Sequence, residues 1–264
     1  MQSTALESLK TLAGDSIKKV AICAAHPDDE VIGASSVLMS LHEQVFIFYI
    51  TDGAPNLIKN GYDSRHYAEI RRREAQQILS FCGIPRQNAF WLNLPDQRSA
   101  YELRRLTTEI RRLVSEIKPD VIVAPAYEGG HPDHDSTALA TAIACAEDSS
   151  PRRLEMLSYH NQNGCMECDK FLVPPRAVPE RHVILNLEEC SRKRILFAIY
   201  VSQQEVLRNF PVGEERFRVA PDYDFLQPPH AGTLYYDLFP WGITASRWRE
   251  RARMFLQNSA ELFR

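Results

Sequence analysis

The sequence predicts an α/β protein with a Rossmann-like, doubly wound, mostly parallel sheet and a loop-rich C-terminal elaboration. Three observations carry this. Short apolar runs rich in β-branched residues alternate with longer stretches of helical periodicity from about residue 19 to residue 159. Strands buried on both faces read as nearly continuous apolar runs, as the early ones do here. Residues that carry chemistry follow directly after those runs, at the carboxyl edge where open α/β sheets bind ligands.

In order, strands are predicted at 19–25, 45–51, 89–94 and 120–126, with helices at 30–41, 63–82, 101–117 and 134–146. A fifth apolar run covers 154–159. This βαβα order favours parallel pairing through helical crossovers. No G-x-G-x-x-G follows any strand, which counts against a dinucleotide enzyme. From 161 to 180 the chain is polar and carries Pro174, Pro175 and Pro179. A further strand is predicted at 183–187 and a helix at 187–207. The stretch 211–241 is rich in proline and aromatic residues, and connections this long act as lids or binding loops. An amphipathic helix closes the chain.

At 264 residues, with 44% hydrophobic and 25% charged content, the chain can bury a large core. A net charge of −3 argues against a nucleic-acid partner held by bulk electrostatics. Residues 1–19 lack the apolar centre of a signal peptide, and no apolar run reaches membrane-span length. With no secretory signal, the six cysteines read as reduced thiols of a cytoplasmic protein. Cys23, Cys82 and Cys145 sit in apolar patterns and read as buried. Cys165 and Cys168 form one isolated C-x-x-C, better read as two incidental loop cysteines than as a zinc knuckle.

The first chemical cluster is His26-Pro27-Asp28-Asp29-Glu30, after the first strand. Pro27 keeps His26 extended while the helix begins beyond it. His26 and Asp29 can then converge on one point, as a metal requires of a local N and O pair. Acids at a helix start also complement its dipole, which explains one or two carboxylates but not a histidine before three. The second cluster follows the fourth strand: Gly129-Gly130-His131-Pro132-Asp133-His134-Asp135. The glycines permit unusual backbone angles, Pro132 suits a first helical turn, and His131 and His134 lie three apart. Two such clusters after parallel strands point to a shared metal site. Between them, Arg71 falls on the apolar stripe of its helix, either snorkelling or positioned at the pocket. Asp96 arrives at the same edge after the third strand, where a plain turn residue is the bland alternative. His230, framed by Pro228 and Pro229 within a long loop, is expected at the pocket mouth.

These motifs resemble the LmbE-like (PIG-L) family of zinc-dependent N-deacetylases. Ala25-His26-Pro27-Asp28-Asp29-Glu30 matches the first family motif and His131-Pro132-Asp133-His134 the second. Weaker matches are Thr51-Asp52-Gly53, Arg71 with Glu74-Ala75, and Leu94-Pro95-Asp96. A later segment, Lys193 to Gln203, also resembles the family, with Tyr200 where many members carry histidine. The resemblance implies one domain over 1–264, with a core at about 18–205 and an extension at 206–264 packing on it. It implies Zn2+ held by His26, Asp29 and His134, with Fe2+ as an alternative metal. Asp28 would be the general base and His131 the oxyanion stabiliser, with Asp133 or Asp135 orienting a ring nitrogen. Arg71 and Asp96 would hold sugar hydroxyls. Some members have tyrosine two residues before the equivalent of His131; here that position is Gly129 and the nearest tyrosine is Tyr127.

The implied activity is removal of acetyl from an N-acetylglucosaminyl or related N-acyl amino-sugar glycoconjugate, a small-molecule partner. An amidase of thiol conjugates on the same scaffold, or a non-catalytic sugar- or nucleotide-binding module, are the competing readings. His134-Asp135 also occurs in HD-type phosphohydrolases, but that fold is all-helical and this pair follows a strand. The sequence leaves the aglycone open and is compatible with a homo-oligomer.

Overall fold

A computed structural model describes residues 4–55, 63–147, 151–174 and 176–259. Pro175 and both ends of the domain expected over 1–264 lie outside the described residues. After a first helix, α1 (Ala5–Ala13), come β1 (Val20–Ala24), α2 (Asp29–Gly33), α3 (Ser35–Leu41), β2 (Val45–Thr51) and α4 (Ser64–Cys82). Next are β3 (Ala89–Leu94), α5 (Leu103–Ile117), β4 (Val121–Pro125), α6 (Pro132–Ala144) and β5 (Arg152–Met156). The remainder comprises β6 (His160–Gln162), β7 (Cys165–Glu167), β8 (Glu180–Ile184), α7 (Leu187–Ile199), α8 (Gln204–Leu207), β9 (Glu214–Val219) and α9 (Ala245–Ser259).

The main sheet has the order β3-β2-β1-β4-β5-β9-β8, and its first five strands are parallel. Alternation along each strand divides the core between the two faces. Val20, Ile22, Ile47 and Val123 join one cluster with α3, α4 and α7 residues. Ala21, Cys23, Phe48 and Ile122 join another with residues of α5 and α6. Each face is therefore covered by helices, as the doubly wound reading requires. The strand order reverses between β1 and β4, so the loops leaving these two strands open a crevice at the switch point.

Several sequence expectations are corrected. The helix expected over 30–41 breaks at Ala34, whose φ of −144° is not helical. The helix expected over 187–207 breaks at Tyr200 into α7 and α8. The expected fifth and sixth strands begin a few residues earlier, at Arg152 and Glu180. Within the stretch read as loop, β9 pairs antiparallel with both β5 and β8. Its sequence, Glu-Glu-Arg-Phe-Arg-Val, hides a strand because Glu215 and Arg218 are buried through ion pairs rather than apolar contact. Lys193 donates to Glu215 Oε1 at 3.0 Å and to the Ile32 carbonyl at 2.8 Å, tying α7 and β9 to the end of α2. The polar N-terminal stretch contains α1, signalled by its Thr4–Glu7 capping box. Cys165 lies in the β6–β7 hairpin and Cys168 directly after it. All six cysteines are free, with Cys23, Cys82 and Cys145 buried as expected. No helix among the described residues is long and apolar enough to cross a membrane.

The C-terminal extension packs on the core. Trp248 and Ala252 of α9 join Leu139 of α6 and Leu103 of α5 in one buried cluster. Trp248 Nε1 donates to the Pro132 carbonyl at 3.1 Å and to Ser136 Oγ at 2.9 Å, so α9 grips the first turn of α6.

Candidate metal centre and active site

The turn after β1 projects three functional side chains in different directions. Asp28 has φ 144°, a value L-residues rarely adopt, at a cost of about 1–3 kcal/mol. Its amide donates to Glu30 Oε2 at 3.0 Å. Glu30 in turn accepts from Tyr200 at 2.5 Å and Tyr49 at 3.3 Å, all fully buried. Held this way, Asp28 faces Arg71, whose Nη2 lies 3.1 Å from Asp28 Oδ2 and also donates to the Pro27 carbonyl. Arg71 is thus inward-facing, as its place on the apolar stripe suggests.

Asp29 takes the next direction. Its Oδ2 accepts from the His26 amide at 2.8 Å and lies 3.5 Å from His26 Nδ1; its Oδ1 lies 3.1 Å from His134 Nε2. The second loop reaches this point because β4 is adjacent to β1. Gly129 has φ +71°, and Gly130 lies so close to Tyr159 that a Cβ there would sit 2.0 Å from its carbonyl oxygen. The first glycine serves φ and the second close approach, so only Gly129 fills the conformational role expected of both. His131 caps α6 by accepting from the Asp133 amide through Nδ1 at 3.1 Å.

His26, Asp29 and His134 each offer one atom to a single cluster within 4.8 Å. Zinc bonds of ~2.0–2.1 Å at tetrahedral angles place donors roughly 3.3 Å apart; the two histidine–Asp29 separations, 3.5 Å to Oδ2 and 3.1 Å to Oδ1, lie on either side of that value. Groups behind the cluster fix which ring nitrogens face it. His134 Nδ1 is 3.0 Å from Ser158 Oγ, and His26 Nε2 is 3.2 Å from Asp133 Oδ2. Asp133 also accepts from the amides of Gln97 at 2.6 Å and Ser99 at 3.1 Å, and from the Ser99 hydroxyl. Its oxygens are therefore committed and its carboxylate orients His26, while its amide bonds Nδ1 of His131, the ring that the sequence reading gave to Asp133 or Asp135. Asp135 accepts from the Gly129 amide at 3.0 Å, holding the loop and not a ring. Neither Ser99 nor Ser158 is part of any motif; only the fold brings them here.

The local field favours a cation. Burial alone would lower the His26 pKa, but Asp96, Asp133 and Asp29 raise it well above 6.5. Burial would raise Asp29, yet the facing His134 and His26 hold it well below the usual carboxylate range. Burial pushes Asp28 upward against the opposing pull of Arg71. Burial and the neighbouring His26 lower His131 to about 3, so its ring is neutral and carries its proton on Nε2.

His26, Asp28, Asp29, His131 and His134 line a pocket of about 630 Å³. Arg71 and Asp96 line it as well; Asp96 Oδ1 is buried without a hydrogen-bond partner, 3.3 Å from His26 Nε2 and 3.8 Å from His131 Nε2. His230 is not among the lining residues. Its ring stands 6.4 Å from that of His160, and its Nδ1 is bonded to the Ala231 carbonyl. The long loop instead presents Tyr235, Phe239 and Trp241 to the pocket. Tyr127 points away, donating to the Gln227 carbonyl at 2.8 Å.

Fold and site together define a doubly wound α/β protein whose switch-point crevice carries a mixed N/O cluster suited to a divalent metal. Residues 21–145 match the family model described as PIG-L: GlcNAc-PI de-N-acetylase, the region that holds both histidine motifs. Among solved structures the chain is similar to a deacetylase of teicoplanin biosynthesis, at 17% identity and TM-score 0.58, over 78% of this chain and 99% of that one. The N,N'-diacetylchitobiose deacetylase of Pyrococcus horikoshii matches at 19% identity and TM-score 0.52, over 86% and 91%. A zinc-inhibited form of teicoplanin deacetylase matches at 16% identity and TM-score 0.56, over 78% and 99%. These likenesses are of fold.

Proposed function

We propose that the chain is a metal-dependent hydrolase that removes acetyl from an N-acetylglucosaminyl or related N-acyl amino-sugar substrate. The observation that carries this reading is the convergence of His26, Asp29 and His134 on one point, with Asp28 and His131 beside it in the same pocket. The PIG-L family match over residues 21–145 and deacetylases of similar fold support it. In this reading the three residues hold Zn2+, with Fe2+ as the other candidate for the same donors. When bound, the ion supplies Lewis acidity and a water whose pKa is near 7.

Asp28 takes a proton from the attacking water and delivers it to the leaving amine. Burial raises its basicity, and Arg71 at 3.1 Å fixes the orientation of its carboxylate. His131, neutral and protonated at Nε2, donates to the amide oxygen as negative charge develops there. Asp133 and Ser158 keep the His26 and His134 rings in the required tautomers. Asp96 and Arg71, which line the pocket, contact the sugar hydroxyls.

Metal content of the purified protein, together with free-amine release from a panel of N-acetyl sugars, tests the reading. One divalent ion per chain and amine release are expected. A chain that carries no metal, and that releases no amine when zinc is added, would exclude it.

A further inference from the structure

The pocket lining combines two kinds of residue: acids, amides, Arg71 and Arg208, and a set of aromatic rings. Four of these rings, Phe210, Tyr235, Phe239 and Trp241, come from the C-terminal extension. Phe239 and Trp241 stack at 4.8 Å and 14°, and Tyr235 packs on Phe239 at 5.0 Å. Trp241 reaches the reactive end of the pocket, its ring 4.7 Å from that of His131. From the core, Tyr159 stands 5.4 Å from the His134 ring and 5.4 Å from Tyr235. Phe239 is nonetheless 38% exposed, and Trp241 is only partly buried. A stacked pair left open beside a polar reactive centre is apolar surface without a cover.

The extension is fastened to the reactive loop itself. The Tyr235 amide donates to the Gly129 carbonyl at 2.9 Å, and Leu234, 2% exposed, occupies the space a side chain at Gly129 would need. Fully buried Tyr236 and the Asp237 carboxylate, which accepts from the Ala245 amide at 2.7 Å, pin the segment beyond it. The aromatic wall is therefore preorganised, and a ligand meets it without ordering a loop.

We infer that this wall is an aglycone subsite, and that the substrate is an amino-sugar glycoside whose aglycone is an aromatic ring. The inference rests on the proposed amide hydrolase. A flat ring can stack on the Phe239–Trp241 pair while its sugar reaches the acids of the same pocket. Offset or edge-to-face pairing of aromatic rings adds to the gain from burying their area. The Gly129 backbone and the extension's rings form one surface, so the subsite and the reactive loop are held at fixed spacing.

The test compares phenyl and methyl N-acetyl-β-glucosaminide, which share the sugar and differ only in the aglycone. Their affinities for the zinc-loaded Asp28→Asn chain are measured by calorimetry, and amine release from both is measured with the unaltered chain. The phenyl glycoside is expected to bind about tenfold tighter, the equivalent of ~1.4 kcal/mol. Trp241→Ala and Phe239→Ala, each added to that chain, should shrink the ratio to within about twofold. Equal binding of the two glycosides, or a ratio that survives both aromatic replacements, overturns the subsite. Tight phenyl binding without amine release instead overturns the hydrolase and leaves the subsite standing.

Discussion

The amide of Asp28 donates to the carboxylate of Glu30 at 3.0 Å, so the third acid of the motif restrains the backbone of the first. That bond, and the two tyrosines bonded to Glu30, brace the turn in which Asp28 holds φ 144°. The acid next to the proposed metal ligand Asp29 is thus strained, and the acid behind it is structural. Glu30→Ala should leave the Asp28 amide and two buried phenols without their acceptor, at about 1–3 kcal/mol for each group that water does not reach. The denaturation midpoint should fall, and turnover should fall by more than tenfold while zinc remains near one per chain. Full turnover in a destabilised variant would show that the strain is irrelevant to chemistry.

The two adjacent acids should separate by metal content. Asp29→Ala removes one of three proposed ligands and should lower both zinc per chain and turnover. Asp28→Asn keeps the shape but cannot take a proton, so zinc should stay while turnover falls by roughly 10²–10⁴-fold. His131→Ala should keep zinc as well and lose transition-state stabilisation of about 3 kcal/mol. Zinc analysis beside turnover decides the assignment, and it is reversed if Asp28→Asn alone sheds the metal.

Gly130 and Gly213 give a matched pair. A Cβ at Gly130 meets the Tyr159 carbonyl oxygen at 2.0 Å, backbone against backbone, whereas one at Gly213 meets nothing within 4 Å. Gly130→Ala should cost at least about 1–3 kcal/mol and displace His131, with turnover lost. Gly213→Ala should change stability by no more than about 0.5 kcal/mol. Equal stability of the two variants in urea would contradict the close approach.

Glu128 should give the protein a pH-dependent stability that can be removed. Arg218 donates to Glu155 through Nε at 2.6 Å, leaving Glu128 a more distant ion pair at 3.5 Å and one oxygen that accepts no hydrogen bond, 3.9 Å from His160 Nδ1. Burial, only partly opposed by Arg218, raises Glu128 from 4.5 to about 8. A raised folded-state pKa means the folded chain holds the proton more tightly, so this stability is full below about pH 4.5. It is lost as pH rises towards 8, at up to ~1.4 kcal/mol per pH unit. Glu128→Gln should flatten that slope in urea unfolding between pH 5 and 8; an unchanged slope would place the titration elsewhere.

Much of this molecule is local in origin and therefore legible in the chain. The runs at Val20–Ala24 and Val45–Thr51 are apolar because both faces of a parallel strand are buried, and the period alone announces them. His26, Asp29 and the pair His131 and His134 could be picked out because each set spans one turn, and turn geometry follows from sequence neighbours. Tertiary structure decided everything that depends on distant pairing. β9 was hidden because its buried acids and arginines are made tolerable by Lys193, Glu155 and other partners far along the chain. Asp133 or Asp135 was expected to orient the local His131, yet the Asp133 carboxylate lies against His26, 107 positions away. His230 had the composition of a pocket residue, but the direction of its loop placed Tyr235 and Trp241 in the pocket instead. Periodicity reports which face of an element is buried; it carries no information about which remote residue will supply the charge, the hydrogen bond or the ring that meets it.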